Sequence, residues 1–294
     1  MARASGAPAG VRAAVIDGLL EVDLGPRVRA GFTTTRFNLA LAAGVAALRA
    51  AWGTPLALAD QVHGATVAWV TRPGPAATAG PSGLVELARV GAVRAGPDAL
   101  AGAGPVGPGA GGLDGAGVSV YPACDALAAG VDGAGVSVYP ACDALVAGVD
   151  GIGLVIRTAD CVPVLLADPS AALVAAVHAG WRGLMAGVVN AALGALQSRG
   201  ARHVRAAIGP AICADHYQVG QDLAAAAAQA GHSVSRGPDG TAHLDVAASV
   251  RAQLEAGGAR IVADLRECTA ESARLFSWRA RRDTGRQAAL IALT

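Results

Sequence analysis

Lysine is absent from this 294-residue chain; all 23 of its cations are arginine, set against 22 acids. The net charge of +1, with the arginines scattered apart from Arg279, Arg281 and Arg282, supplies no long-range field that would gather nucleic acid or an anionic membrane. Aromatic residues are few, with 3 Phe, 3 Tyr and 4 Trp, so much of the 53% hydrophobic content is alanine. This Ala, Gly and Arg bias reads as compositional pressure on the gene, and alanine-rich runs carry no weight as evidence. There is no uninterrupted apolar run of about 18 residues, and no charged start followed by an apolar core, so neither a membrane span nor a signal peptide is expected. A cytoplasmic protein follows as the expectation. The 5 cysteines (Cys124, Cys142, Cys161, Cys213 and Cys268) are odd in number and lack CxxC spacing, which argues against a disulfide scaffold or a compact four-cysteine metal site.

What is present centres on residues 158–183, TADCVPVLLADPSAALVAAVHAGWRG. Two short apolar runs, 162–167 and 172–177, have the length of buried strands, and Asp168, Pro169 and Ser170 between them supply a turn. A hairpin built this way places Cys161, at the entrance of the first strand, beside His178, at the exit of the second. Two chemistries are open to that pair: a thiolate nucleophile with its base, or two ligands of a metal such as zinc. His63, next to Gly64 at the start of another strand-like run, supplies a third ligand for the metal reading. The tail Ala179 to Gly183 adds Arg182, a rigid fork of donors suited to an anion.

Around this centre, helices are expected at 45–52, 184–199, 219–230 and 244–256, the last capped by Asp245, and strands at 65–70, 205–208 and 261–265. Residues 1–10 read as a loose tail and 71–113 as a Gly/Pro-rich insertion. A tandem duplication of 18 residues follows, 114–131 and 132–149, differing only as Ala128 against Val146, with a weaker third copy from Asp150. Cys124 and Cys142 are copies of each other and are expected to be non-catalytic. His203, His216, His232 and His243 lack partners at informative spacing and read as surface or structural residues.

FTTTR at 32–36, NLA at 38–40, QVHG at 61–64, TADCVPVLL at 158–166, HAGWRG at 178–183, IGPAIC at 208–213, HLD at 243–245, CT at 268, FSWR at 276–279 and TGR at 284–286 run in one order along nearly the whole chain. In that order they resemble the multicopper polyphenol oxidase, or laccase-like, family of bacterial proteins, also described as peptidoglycan editing factors and purine nucleoside phosphorylases. The chain departs from the family pattern in lacking the Gly-rich loop between Arg36 and Asn38, and in carrying Leu48 where an asparagine usually precedes the helical arginine. The resemblance implies a single α/β domain of the α+β type, with layered mixed sheets flanked by helices. It also implies a zinc site whose ligands fall on His63, Cys161 and His178.

The expected function is therefore a zinc-dependent purine nucleoside phosphorylase, acting on adenosine, inosine and methylthioadenosine, with adenosine deaminase activity. Nucleoside and phosphate are the expected partners, with no nucleic acid or membrane, in a monomer or weak homo-oligomer. Catalysis is assigned to His63, Cys161, His178 and Arg182, and phosphate contacts to Arg36, Arg49 and Arg182. The alternatives are a metal-free cysteine hydrolase, a non-enzymatic binding protein that keeps the fold, and a copper-dependent polyphenol oxidoreductase. Against copper stands a single His, Cys, His set with no HxH pair, which looks too small for several ions.

Overall fold

The computed structural model describes residues 17–70, 129–132, 136–139 and 141–294. The expected tail, the 71–113 insertion, and most of the first repeat copy with Cys124 lie outside the described residues.

The expected hairpin forms between Val162–Asp168 and Leu173–Ala179, in a register that pairs Val177 with Val164 and Ala179 with Val162. Every residue of both strands is buried, because each face of the pair meets a different core. Val162, Val164 and Leu166 face one cluster, and Leu165 and Ala167 face another, following the period of two that a strand imposes. Burial on both faces is why these strands read as continuous apolar runs and not as alternating ones. Leu165 and Leu166 are fully buried, and each contributes roughly 1.5–3 kcal/mol through removal from water. Asp168, also buried, closes the turn by accepting from Ser170 and Ala171 and braces the backbone of Arg202 and His203.

This hairpin is the middle of a six-stranded sheet ordered Arg260–Asp264, Arg205–Ile208, Val162–Asp168, Leu173–Ala179, Ala144–Ala147 and Val67–Val70. A seven-stranded sheet runs in the order Leu19–Val22, Val28–Thr33, Gln287–Leu293, Gly153–Thr158, Leu56–Ala59, Val136–Tyr139 and Ala129–Asp132. Leu154, Ile156 and Ile291 of the second sheet pack against Leu165, Ala176 and Ala207 of the first. The helices Val188–Ser198 and Val246–Ala256 cover the outer face of the six-stranded sheet, and Ala42–Trp52 covers the outer face of the seven-stranded one. A small three-stranded sheet, Gln218–Val219, Ala242–Leu244 and Val234–Arg236, completes the domain beside the helix Gln221–Gln229. The expected α+β architecture of mixed sheets and flanking helices is what the molecule has.

One local reading changes and another holds. The single helix expected over 184–199 is divided into Trp181–Met185 and Val188–Ser198, because Gly187 adopts a left-handed φ of 80° between them. Asp245 does cap the helix Val246–Ala256, accepting from Ala248 N at 2.7 Å. The repeat also acquires a structural meaning. In its second copy and again in the weaker third, a strand of the seven-stranded sheet (Val136–Tyr139, Gly153–Thr158) turns a polar corner into a strand of the six-stranded sheet (Ala144–Ala147, Val162–Asp168). The first corner carries Cys142 and Asp143, and the second carries Asp160 and Cys161.

Candidate metal centre

The two corners meet the loop between Leu56–Ala59 and Val67–Val70. There the ligand atoms of His63, Cys161 and His178 all lie within 4.8 Å of one another. The two imidazoles stand edge to face, with ring centroids 4.9 Å apart at 82°. His178 is at the exit of its strand and buried, Cys161 is half-buried, and His63 is exposed.

Asp143, fully buried, organises the group. Its Oδ1 lies 2.8 Å from His178 Nδ1, which makes Nε2 the ring nitrogen left for a ligand. The same carboxylate accepts the backbone N–H groups of Val62, His63 and Gly64 at 3.3, 3.0 and 2.6 Å. That cradle holds His63 in a left-handed φ of 62°, a conformation costly for a non-glycine residue unless its surroundings impose it. Gln61 clasps the loop to the next strand, donating to Arg157 O at 2.7 Å and accepting from Arg157 N at 2.8 Å.

The electrostatics follow from this packing. Burial alone would raise the Cys161 thiol, but the charges and hydrogen bonds of His178 and His63 outweigh it and bring its pKa down to about 6. His178 moves the other way: burial lowers it, while Cys161 and Asp143 raise it to about 9. Burial would raise Asp143 as well, yet the bonds from His178 and from the Gly64 and His63 backbone hold it below the usual carboxylate range.

Gly180 lies against Cys161 and His63 with little room for a side chain. A Cβ built there would lie 3.0 Å from Cys161 Sγ and 3.3 Å from His63 Cδ2. A Gly180→Val substitution is expected to separate the two donors and weaken the binding of an ion at this site by roughly 10-fold or more, the scale seen when groups supporting a metal are disturbed. Metal titration of the variant against the parent checks it, with the melting temperature recorded to separate site damage from unfolding.

Asp160, the residue before Cys161, is the second organiser. Its Oδ1 accepts from Thr269 Oγ1 at 2.6 Å and Ser277 Oγ at 2.7 Å, and its Oδ2 accepts from Arg279 N at 2.6 Å. These bonds bring the CT and FSWR segments to the site. Beside it opens a cleft of about 410 Å³ lined by Trp181, Tyr217, Leu223 and Arg279 among others. Arg279 lies 4.9 Å over the Tyr217 ring, and the Tyr217 phenol is pushed up by burial and by the charge of Cys161.

Of the arginines singled out in the sequence, Arg182 is exposed and stacks 4.4 Å over Trp181 at the cleft. Arg36 pairs with Asp17 at 3.0 Å, and Arg49 sits on the helix that covers the far face of the seven-stranded sheet. The structure brings neither to the His63, Cys161, His178 group through any contact among the described residues. Asp143, Asp160 and Tyr217 carried no assigned role in the sequence, whereas Arg279 belongs to the Arg-rich turn, 276–286, that the sequence offers as able to close over a ligand, and it lines the cleft. A second group was missed entirely: Cys213, His216, Cys268 and Glu271 also place their ligand atoms within 4.8 Å of one another. Its local signs are the three-residue spacings of Cys213 with His216 and of Cys268 with Glu271.

A family model described as multi-copper polyphenol oxidoreductase laccase matches residues 116–294. A purine nucleoside phosphorylase of Streptomyces coelicolor is 47% identical over 141 residues, covering 47% of this chain and 58% of that protein. A purine nucleoside phosphorylase of Deinococcus radiodurans is 42% identical over 147 residues, covering 48% and 56%. The chain thus spans little more than half the length of these curated relatives. Among solved structures, YfiH of Bacillus licheniformis shares the fold at a TM-score of 0.70 and 21% identity, over 97% of this chain and 99% of that one. A Neisseria meningitidis protein of family DUF152 does so at 0.65 and 24%, over 94% and 99%.

These findings correct the expectation of a zinc-dependent purine nucleoside phosphorylase and adenosine deaminase. The matching family model carries a copper oxidoreductase description, and the structural likenesses extend the fold over nearly the whole chain. The second Cys, His and Glu group removes the objection that one ligand set is too small for several ions. A copper-type site is favoured over zinc, and nucleoside and phosphate lose their standing as the partners. Among the described residues, no helix is long and apolar enough to cross a membrane.

Proposed function

Because the chain belongs to the multi-copper polyphenol oxidoreductase laccase family, we propose that it is a copper-dependent oxidoreductase that withdraws electrons from phenols at the site of His63, Cys161 and His178. The observation that carries this reading is the match of the copper oxidoreductase family model over residues 116–294, joined to a donor set that accepts copper. Two imidazoles and one thiolate, oriented through a buried carboxylate on His178 Nδ1, are the ligands that suit copper in electron transfer. Copper held there by His63, Cys161 and His178 would supply one-electron acceptance.

The remaining work falls to the chain. Asp143 keeps His178 in one tautomer and holds the His63 loop in its left-handed turn. Trp181 and Tyr217 offer flat faces to an aromatic ring entering the cleft, and Arg182 and Arg279 offer charge to an anionic substituent on it. Oxidation of a diphenol to its quinone releases two electrons and two protons. With dioxygen as the acceptor, two diphenols reduce one O2 to two waters. The setting we propose is the cytoplasm, a reducing compartment in which Cys142, Cys161, Cys213 and Cys268 remain free.

The test is oxygen uptake by the copper-loaded protein with a diphenol, on the parent and on Cys161→Ala. Uptake at one O2 per two diphenols, lost in the variant, is the expected result. Absence of phenol turnover, or equal turnover in the variant, overturns the reading. So does cleavage of a nucleoside as the preparation's sole activity, the reaction named for the sequence relatives.

A further inference from the structure

We propose that Cys213, His216, Cys268 and Glu271 form a second metal site, separate from the first, that takes a soft cation of the copper(I) kind. Two short turns present the four donors with the same spacing. Cys213 and His216 flank a 3-10 turn in which His216 N donates to Cys213 O at 3.2 Å, and Cys268 and Glu271 flank a turn in which Glu271 N donates to Cys268 O at 3.2 Å. A parallel bridge between Ala211 and Cys268 holds the two turns side by side. The Cys213 N–H points at Cys268 Sγ at 3.3 Å, the type of bond that steadies a sulfur carrying negative charge.

The ligand atoms of the group crowd around His216. His216 Nδ1 lies 3.2 Å from Cys213 Sγ, 3.7 Å from Cys268 Sγ and 3.5 Å from Glu271 Oε1. One cation between them would engage all four donors at once. Two thiolates and an imidazole mark the ion as thiophilic. A disulfide between Cys213 and Cys268, both free thiols here, would give His216 and Glu271 no part in the arrangement.

The site has a consequence for its neighbour. Ile212 N donates to Asp160 O at 2.9 Å, and Thr269 Oγ1 donates to Asp160 Oδ1 at 2.6 Å. Each turn is therefore pinned to the residue that precedes Cys161, and an ion joining them staples the segments that frame the first site.

The choice of copper among thiophilic ions rests on the oxidoreductase reading; the site itself does not. The experiment is an anaerobic copper(I) titration of the reduced apoprotein against a chromogenic chelator, on the parent, on Cys213→Ser with Cys268→Ser, and on Cys161→Ala. The expected stoichiometry is two ions per chain in the parent and one in each variant, with the second equivalent raising the melting temperature of the parent but not of the double variant. His216→Ala, at an exposed position, guards against a folding failure of the cysteine variant, and a weakening of the second binding step by about 10-fold or more is expected. One ion in the parent, two retained in the cysteine variant, or a Cys213–Cys268 disulfide that persists under reduction overturns the site. Displacement of bound copper(I) by equimolar zinc overturns the choice of ion. Loss of phenol oxidation with both ions retained would sink the oxidoreductase reading and leave the second site standing.

Discussion

Asp143→Ala is expected to lower copper affinity at the His63, Cys161, His178 site by roughly 10- to 100-fold, the range found when the partner of a ligating histidine is removed. The reason is that one carboxylate does two jobs. It fixes His178 through Nδ1 at 2.8 Å, and it takes three successive N–H groups that shape the turn carrying His63. Its removal frees both histidines at once. His178 and Asp143 are 3% and 0% exposed, so truncating one partner leaves the other buried and unpaired, at a cost of about 3–5 kcal/mol in stability. Asp143→Asn separates the two effects. The amide keeps the shape and one accepting oxygen, but presents N–H against either His178 or the backbone donors, so metal affinity is expected to fall further than stability does. Urea denaturation and metal titration on both variants check this; unchanged affinity in Asp143→Ala would show that His178 is oriented by something else.

How far the sequence revealed this arrangement depends on the range of the interactions. The hairpin was legible because strands buried on both faces must be apolar throughout, and Asp168 with Pro169 marks the turn. The convergence of Cys161 with His178 follows from that hairpin alone. Asp143 was hidden for the opposite reason: its partners are 35 and 80 positions away, and it lies in a repeated unit that draws attention to the duplication and away from the residue. The same holds for the second cluster, where Cys213 and Cys268 are 55 positions apart and meet only because a bridge aligns two turns. His216 was read as structural because its partners cannot be seen at short spacing.

Metal identity was the least legible feature. One thiolate and two imidazoles can hold either copper or zinc, so the ligands do not choose between them. The argument from too few ligands failed because, beyond the His63, Cys161, His178 set, it looked for HxH pairs and set the scattered histidines aside, whereas His216 joins two cysteines and a glutamate. The split of the expected 184–199 helix has a simpler cause: Gly187 is silent in a periodicity argument, yet its left-handed φ ends one helix and starts the next.

Asp160→Ala is expected to be the most destabilising change at the site's outer edge. The carboxylate accepts from Thr269, Ser277 and the Arg279 backbone, and both hydroxyl residues are fully buried. A hydrogen bond to a charged group is worth about 1.5–3 kcal/mol, and the three share one acceptor, so a combined loss on the order of 3–5 kcal/mol is expected and not their sum. Backbone strain adds to it, since Asp160 sits at a left-handed φ of 90° that aspartate and asparagine tolerate better than alanine. Asp160→Asn keeps that tolerance and retains an oxygen for Thr269 and Ser277, while its amide opposes the Arg279 N–H. The asparagine variant should therefore melt close to the parent but bind substrate more weakly, because Arg279 lines the cleft. A raised KM with little change in kcat is the expected signature. If Asp160→Ala melts with the parent, the CT and FSWR segments are held by other contacts, and the cleft owes its shape to them instead.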